Sequence, residues 1–161
     1  MKRLAHFDSR GSFRMADIGG KRITLRKAVA AATVRMSREA IETLRSGRII
    51  KGDAFAAARL AGIQAAKRTS EWIPLCHPIP VQWIDVDCRL VARKPEVEIT
   101  ATAAARWSTG VEMEALTAVA AAALTLYDMC KSIDRGILVK DLRLLSKSGG
   151  RSGTWKRETK L

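Results

Sequence analysis

Aromatic side chains are scarce, with three Phe, one Tyr and four Trp in 161 residues. A surface that stacks nucleobases on an array of rings is therefore poorly supplied, and no RNP, zinc-finger or GxxG signature compensates. Histidine is scarcer still. Only His6 and His77 occur, and the single Cys76–His77 pair has no two further ligands at zinc spacing. The three cysteines, Cys76, Cys88 and Cys130, are odd in number and lack CxxC spacing. They fit reduced thiols in a cytoplasmic protein better than a disulfide framework. No continuous apolar run approaches the roughly 18 residues of a membrane span. The basic residues among the first eight are followed by no apolar stretch of a signal peptide. Acidic residues are also in deficit: 16 Asp and Glu against 29 Lys and Arg leave a net charge of +13. Such an excess favours anionic partners, whether nucleic acid, an acidic lipid surface or a phosphorylated small molecule.

What is present organises into one domain over residues 1–161, long enough for a hydrophobic core. Residues 1–14 read as a flexible arm and 146–161 as a flexible basic loop and tail. Lys21 to Met36 is rich in Thr, Val and Ile and predicts a long strand, with a bulge where the alternation slips. Ser37 offers an N-cap and Gly47 a stop for a helix carrying Ile41 and Leu44. Asp53 can cap a helix over about Ala54 to Ser70. Ile84, Val86, Cys88 and Leu90, then Val97, Ile99, Ala101 and Ala103, alternate with polar residues about an Arg93-Lys94-Pro95 turn, which predicts a hairpin. Thr109-Gly110 opens the longest helix, about Val111 to Ser132, and Ile137 to Leu145 is a last strand. The order β-α-α-β-β-α-β predicts an α+β fold of ferredoxin-like kind, a mainly antiparallel sheet with helices packed on one face.

Chemistry concentrates at a few places. Pro74 and Pro78 bracket Cys76-His77 in a rigid corner, which suits either a poised acid–base group or a hydrogen-bonded turn histidine. On the long helix, Glu112 falls where it would complete a capping box with Thr109. Glu114, beyond the first turn, has no capping duty. Asp128 and Lys131 stand at i, i+3, as a surface ion pair or as a proton donor and acceptor in a closed site. Tyr127, Met129 and Cys130 suggest that this end is partly buried, so burial would perturb both pKa values. Glu114 and Asp128 share a face but lie about 21 Å apart. One modest ligand cannot reach both in one protomer, so a site using both joins two subunits. Lys51, Lys67 and Lys147 fall at turns or helix ends nearby. Lys67 also suits snorkelling along an apolar border, and Lys147 lies in a Gly/Ser loop able to wrap a phosphate.

Six motifs in order resemble the cyclic pyranopterin monophosphate synthase family, also called the molybdenum cofactor biosynthesis protein C family. They are Lys51-Gly52-Asp53, Ala58 to Lys67, Ile73-Pro74-Leu75-Cys76-His77-Pro78, Thr109-Gly110-Val111-Glu112-Met113-Glu114-Ala115-Leu116-Thr117-Ala118, Tyr127-Asp128-Met129-Cys130-Lys131 and Lys147-Ser148-Gly149-Gly150. The resemblance covers roughly residues 6–155. It implies a ferredoxin-like homohexamer, a trimer of dimers, with sites at subunit interfaces. It also implies a lyase that converts 3',8-cyclised dihydro-GTP, made by a radical-SAM GTP cyclase, into cyclic pyranopterin monophosphate and diphosphate. No redox cofactor is implied, although Mg2+ can accompany the triphosphate. Carried over by position, Asp128 resembles the acid–base residue, with Lys131 and Lys51 beside it. Leu75, Cys76, His77, Met113 and Glu114 resemble substrate contacts, and Lys67, Lys147, Glu112 and Asp17 fall in the pocket. Two places depart from the family pattern. Trp107-Ser108 stands where a glycine and a basic residue are usual, and Ile18-Gly19-Gly20 replaces a valine-serine pattern. The alternative from another class is a basic ferredoxin-like RNA-binding module, for which Trp83 is the one candidate stacking ring on the hairpin.

Overall fold

The computed structural model describes residues 11–158. Most of the expected N-terminal arm and the last three residues therefore lie outside the described residues, and residues 11–14 are exposed. The first strand, β1 (Thr24–Arg35), turns Ala28, Ala30, Ala32 and Val34 into the core. It pairs antiparallel over its whole length with a later strand, Glu96–Trp107, from Thr24 opposite Trp107 to Arg35 opposite Glu96. The bulge expected in β1 is absent from this pairing. The irregularities lie on the other neighbour, Leu138–Ser148, where Leu145 is extra between Val29 and Ala30, and Asp141 and Leu142 face the single Ala32. Asp141 takes φ +55°, as a bulge residue does. The alternation in β1 slips because Ala31, on the opposite face between Thr100 and Arg143, is small enough to be covered as well.

The capping signals hold. The Ser37 hydroxyl accepts from the Ala40 amide at 3.2 Å and starts α1 (Arg38–Arg45). Gly47, at φ +66°, ends that region, with its N–H donating to Leu44. Asp53 Oδ1 accepts from the Phe55 and Ala56 amides, both at 3.0 Å, and starts α2 (Ala54–Ala66). The expected helix to Ser70 breaks at Lys67-Arg68. Thr69 there donates its hydroxyl back to the Ala66 carbonyl at 3.0 Å and begins a short α3 (Thr69–Trp72). After the proline corner, β2 (Trp83–Leu90) and β3 (Glu96–Trp107) form the hairpin, turned by Arg93 at φ +63°.

Helix α4 (Glu112–Cys130) is followed by β4 (Leu138–Ser148) and a two-residue β5 (Trp155–Lys156). The stretch from Ser146, expected as a loop, is thus the end of β4, a glycine turn and a paired strand, with Ser146 opposite Lys156 and Lys147 opposite Trp155. The product is an α+β fold with a five-stranded antiparallel sheet, ordered β2-β3-β1-β4-β5.

By length and mean hydropathy (1.3) α4 is apolar enough to cross a bilayer, a property that counting uninterrupted runs overlooks. Its apolar residues are instead used internally: Ala115, Ala118, Val119, Ala122, Ala123 and Leu126 are fully buried in the core. Alanine lets helix and sheet approach closely, and α2 approaches α4 through Gly62. A Cβ on Gly62 would stand 2.8 Å from the Ala118 carbonyl oxygen and 3.1 Å from Val86 Cγ2. Gly62→Ala should therefore lower stability by about 1–3 kcal/mol through overpacking. The check is the urea midpoint, and an unchanged midpoint would show that the two helices separate freely.

Candidate active site

The ends of α4 carry two separate charged clusters. At the C-terminal end, Asp128 stands between two lysines. Lys131 Nζ lies 2.7 Å from Oδ1, and Lys51 Nζ lies 2.8 Å from Oδ2 and 2.7 Å from the Asp128 carbonyl oxygen. Lys131 is placed by one helical turn. Lys51 is delivered by the loop between α1 and α2, just before the Asp53 cap. The expectation that this end is buried holds for Met129 and Cys130 but not for the Asp128–Lys131 pair, since the Asp128 side chain is 54% exposed. Its pKa is perturbed for a different reason. Hydrogen bonds first from Lys131 and then from Lys51 hold the carboxyl down at about 2, and the Lys131 ammonium is pushed up in turn. Asp128 also borders a groove of about 440 Å³ between α2, α3 and α4, lined by Gln64, Arg68, Trp72 and Leu124 among others.

The N-terminal cluster is built differently. Helix α4 begins at Glu112 with Val111 as its cap, and no side chain caps it, so the capping box with Thr109 does not form. Glu112 instead reaches Lys147 on β4, with Oε1 to Nζ at 3.0 Å. Lys147 also lies 3.3 Å from the Ser152 hydroxyl. Because the helix starts at Glu112, Glu114 falls inside the first turn rather than beyond it. Its side chain is buried, with the residue 3% exposed. Loss of solvation, aided by the nearby Glu112 charge and opposed by its own backbone amide, lifts the carboxyl to about 7. A carboxyl that titrates there can give or take a proton at neutral pH. Cys76, from the proline corner, is near enough that Glu114 raises its thiol pKa, although burial is the larger cause.

The expected site residues thus divide. Lys51, Asp128 and Lys131 come together at one end of α4. Glu112, Glu114, Lys147 and Cys76 come together at the other, with Met113 on α4 and with Leu75 and His77, both half-buried, flanking Cys76. Lys67 is exposed at the C-cap of α2 and makes no ion pair with a described residue. Asp17 is exposed too; its carboxylate accepts from the Gly19 amide at 2.8 Å and closes its own turn. Arg26 on β1 was missed by sequence reasoning. It donates to the carbonyl oxygens of Trp107 and Ser108, both at 3.2 Å. The available signal was a long basic residue in line with the buried Ala28, Ala30 and Ala32.

Comparison with known proteins gives a consistent result. Residues 15–150 match the MoaC family. The chain is 52% identical over 98% of its length to a protein of Thermomicrobium roseum named cyclic pyranopterin monophosphate synthase, covering 95% of that protein. A protein of the same name from Novosphingobium aromaticivorans is 51% identical, with 97% and 98% of the two chains covered. Cyclic pyranopterin monophosphate synthase 2 of Mycobacterium bovis is 53% identical, with 96% and 91% covered.

The burial of Glu114 sets a sign for the pH dependence of stability. Its pKa is raised on folding, so its contribution is fully present below about 4.5 and is lost as pH rises through about 7. Glu114→Gln should remove that loss, a few kcal/mol in size. The slope of unfolding free energy between pH 5 and 7.5 should flatten relative to the parent chain; equal slopes would show that Glu114 is solvated.

Proposed function

This chain belongs to the MoaC family, and we propose from that premise that it is a cyclic pyranopterin monophosphate synthase, a lyase of molybdenum cofactor biosynthesis. Its substrate in this reading is 3',8-cyclised dihydro-GTP, supplied by a radical-SAM GTP cyclase, and its products are cyclic pyranopterin monophosphate and diphosphate. The observation that carries the reading is Asp128 gripped by Lys51 and Lys131. Rearranging a purine into a pterin needs proton transfers at ring nitrogens and carbons, and closing a cyclic phosphate needs charge stabilisation on departing diphosphate. A carboxylate held ionised, with an ammonium on each oxygen, offers a base and two donors in one place. When substrate enters, one lysine can turn to a phosphate while the other stays on Asp128. Glu114, near neutrality, offers the complementary proton reservoir.

The separation of the clusters along α4 supports a site shared between subunits, Asp128, Lys131 and Lys51 from one and the Glu114 end from another. Trp72 on α3 and Leu124 on α4, both exposed, line the Asp128 groove, and with the exposed Leu60 on α2 they favour burial against another copy. We assign the assembly as a homohexamer of three dimers, located in the cytoplasm. The strand order β2-β3-β1-β4 with α2 and α4 as the connecting helices supports a ferredoxin-like protomer. No resident cofactor enters this reading; Mg2+ would arrive with the triphosphate. The RNA-binding alternative has only scattered rings to stand on: Trp83 on the hairpin, half exposed with Lys27 Nζ 5.9 Å from its centroid, and Trp155 on β5 with Arg157 over it; it is not favoured.

Anaerobic incubation with the cyclised dihydro-GTP should release diphosphate and the pyranopterin together, and binding without turnover would refute the synthase reading. Asp128→Asn should lower turnover by about 10²-fold or more with the fold retained; full activity would remove Asp128 from the chemistry. Inactive Asp128→Asn and Glu114→Ala chains, mixed into verified hetero-oligomers, should partly recover activity. No recovery would place each site within one subunit.

A further inference from the structure

We propose that Arg26 is a positioning residue that sets the geometry of the Glu112–Lys147 pair. Its guanidinium lies between the two segments that deliver those residues. On one side Nε and Nη2 each donate at 3.2 Å, to the consecutive carbonyls of Trp107 and Ser108, just ahead of the turn into α4. Glu112 follows four residues later. On the other side is the glycine turn after β4. A Cβ on Gly150 would fall 1.7 Å from Nη1 and 2.5 Å from Cζ, and one on Gly149 would fall 2.0 Å from the Leu25 carbonyl oxygen. The guanidinium therefore lies directly against the backbone of that turn, and Lys147 is three residues before it.

Arg26 makes no ion pair with a carboxylate among the described residues, so its donors serve main-chain oxygens. That use calls for a flat, rigid fork, which lysine cannot reproduce. With the fork in place, the strand-to-helix loop and the β4–β5 turn are held to one spacing, and Glu112 Oε1 meets Lys147 Nζ at 3.0 Å. Without it, the two segments are tied through the ladders that β1 makes with β3 and β4 and through that half-buried ion pair, and the direct brace between the loop after Trp107 and the glycine turn is lost. The consequence for catalysis rests on the synthase reading. Asp128 keeps its two lysines and Glu114 is held by the buried face of α4, so loss of Arg26 displaces Glu112 and Lys147, the expected substrate contacts, and acts on affinity before the chemical step.

Steady-state diphosphate release from cyclised dihydro-GTP by the full-length oligomer tests this for the parent chain, Arg26→Lys and Arg26→Ala. The expected result is a KM raised about tenfold in both variants, with kcat changed much less. Added guanidinium ion should restore KM in Arg26→Ala, and methylammonium should not. An unchanged KM, or equal losses in kcat and kcat/KM with no guanidinium rescue, overturns the proposal. A second measurement does not depend on activity. Gly150→Ala should lower the urea midpoint more in the parent chain than in Arg26→Ala, because the added Cβ meets the guanidinium only when it is there. Equal costs in both backgrounds overturn the proposed contact. Absence of turnover in the parent chain would refute the synthase reading, and the unfolding cycle would then decide Arg26 by itself.

Discussion

The close packing of α4 against the sheet and α2 is the constraint on which both charged clusters depend. Alanine lines most of that interface, and the sheet face opposite it is also mostly small, with Ala28, Ala30, Ala32, Ala101, Ala103 and Ala105 buried. Small side chains bring backbones together, and the Gly62–Ala118 approach locks α2 to α4 with no room for a methyl group. The helix is thereby held as a rigid strut. Its first turn is fixed against the proline corner and β4, and its last turn against the loop that carries Lys51. Ion pairs as exposed as Lys51–Asp128 contribute little to stability. They are positioned by the core and do not build it.

Environment, more than residue type, separates the two carboxylates of this strut. Asp128 is exposed and held down near 2 by two ammonium groups, whereas Glu114 is enclosed and lifted to about 7 by lost solvation. One remains a carboxylate at any physiological pH, and the other crosses between acid and base there. That divergence is the pattern expected when two carboxyls take different parts in proton transfer, one entering as the base and the other able to hold or give a proton near neutrality. It arises from one helix whose two ends meet different surroundings.

Much of the local structure was legible in sequence because its causes are local. Ser37 and Asp53 cap the next residues in the chain, and the alternation of β2 and β3 about Arg93-Lys94-Pro95 encodes its own pairing. The misreadings have non-local causes. The bulge expected in β1 belongs to its partner β4, since a register shift is a property of a pair of strands. The capping box at Thr109 is absent because α4 starts only at Glu112, whose carboxylate pairs with Lys147 from β4. The loop expected from Ser146 is strand because β1 and β5 supply its hydrogen bonds. Arg26 escaped notice because its partners are main-chain oxygens some 80 residues away, which leave no side-chain pattern to read.

The sequence by itself determined which groups are available: an excess of lysine and arginine, a proline-bound Cys76-His77 corner, and carboxylates at both ends of an alanine-rich helix. Its motifs also determined the family. Only the tertiary structure decided how those groups are grouped and charged, with Asp128 between Lys51 and Lys131, Glu112 on Lys147, and Glu114 out of water beside Cys76. The physical reason is that a pKa and an ion pair depend on distance and solvent exposure, which are set when distant segments pack together.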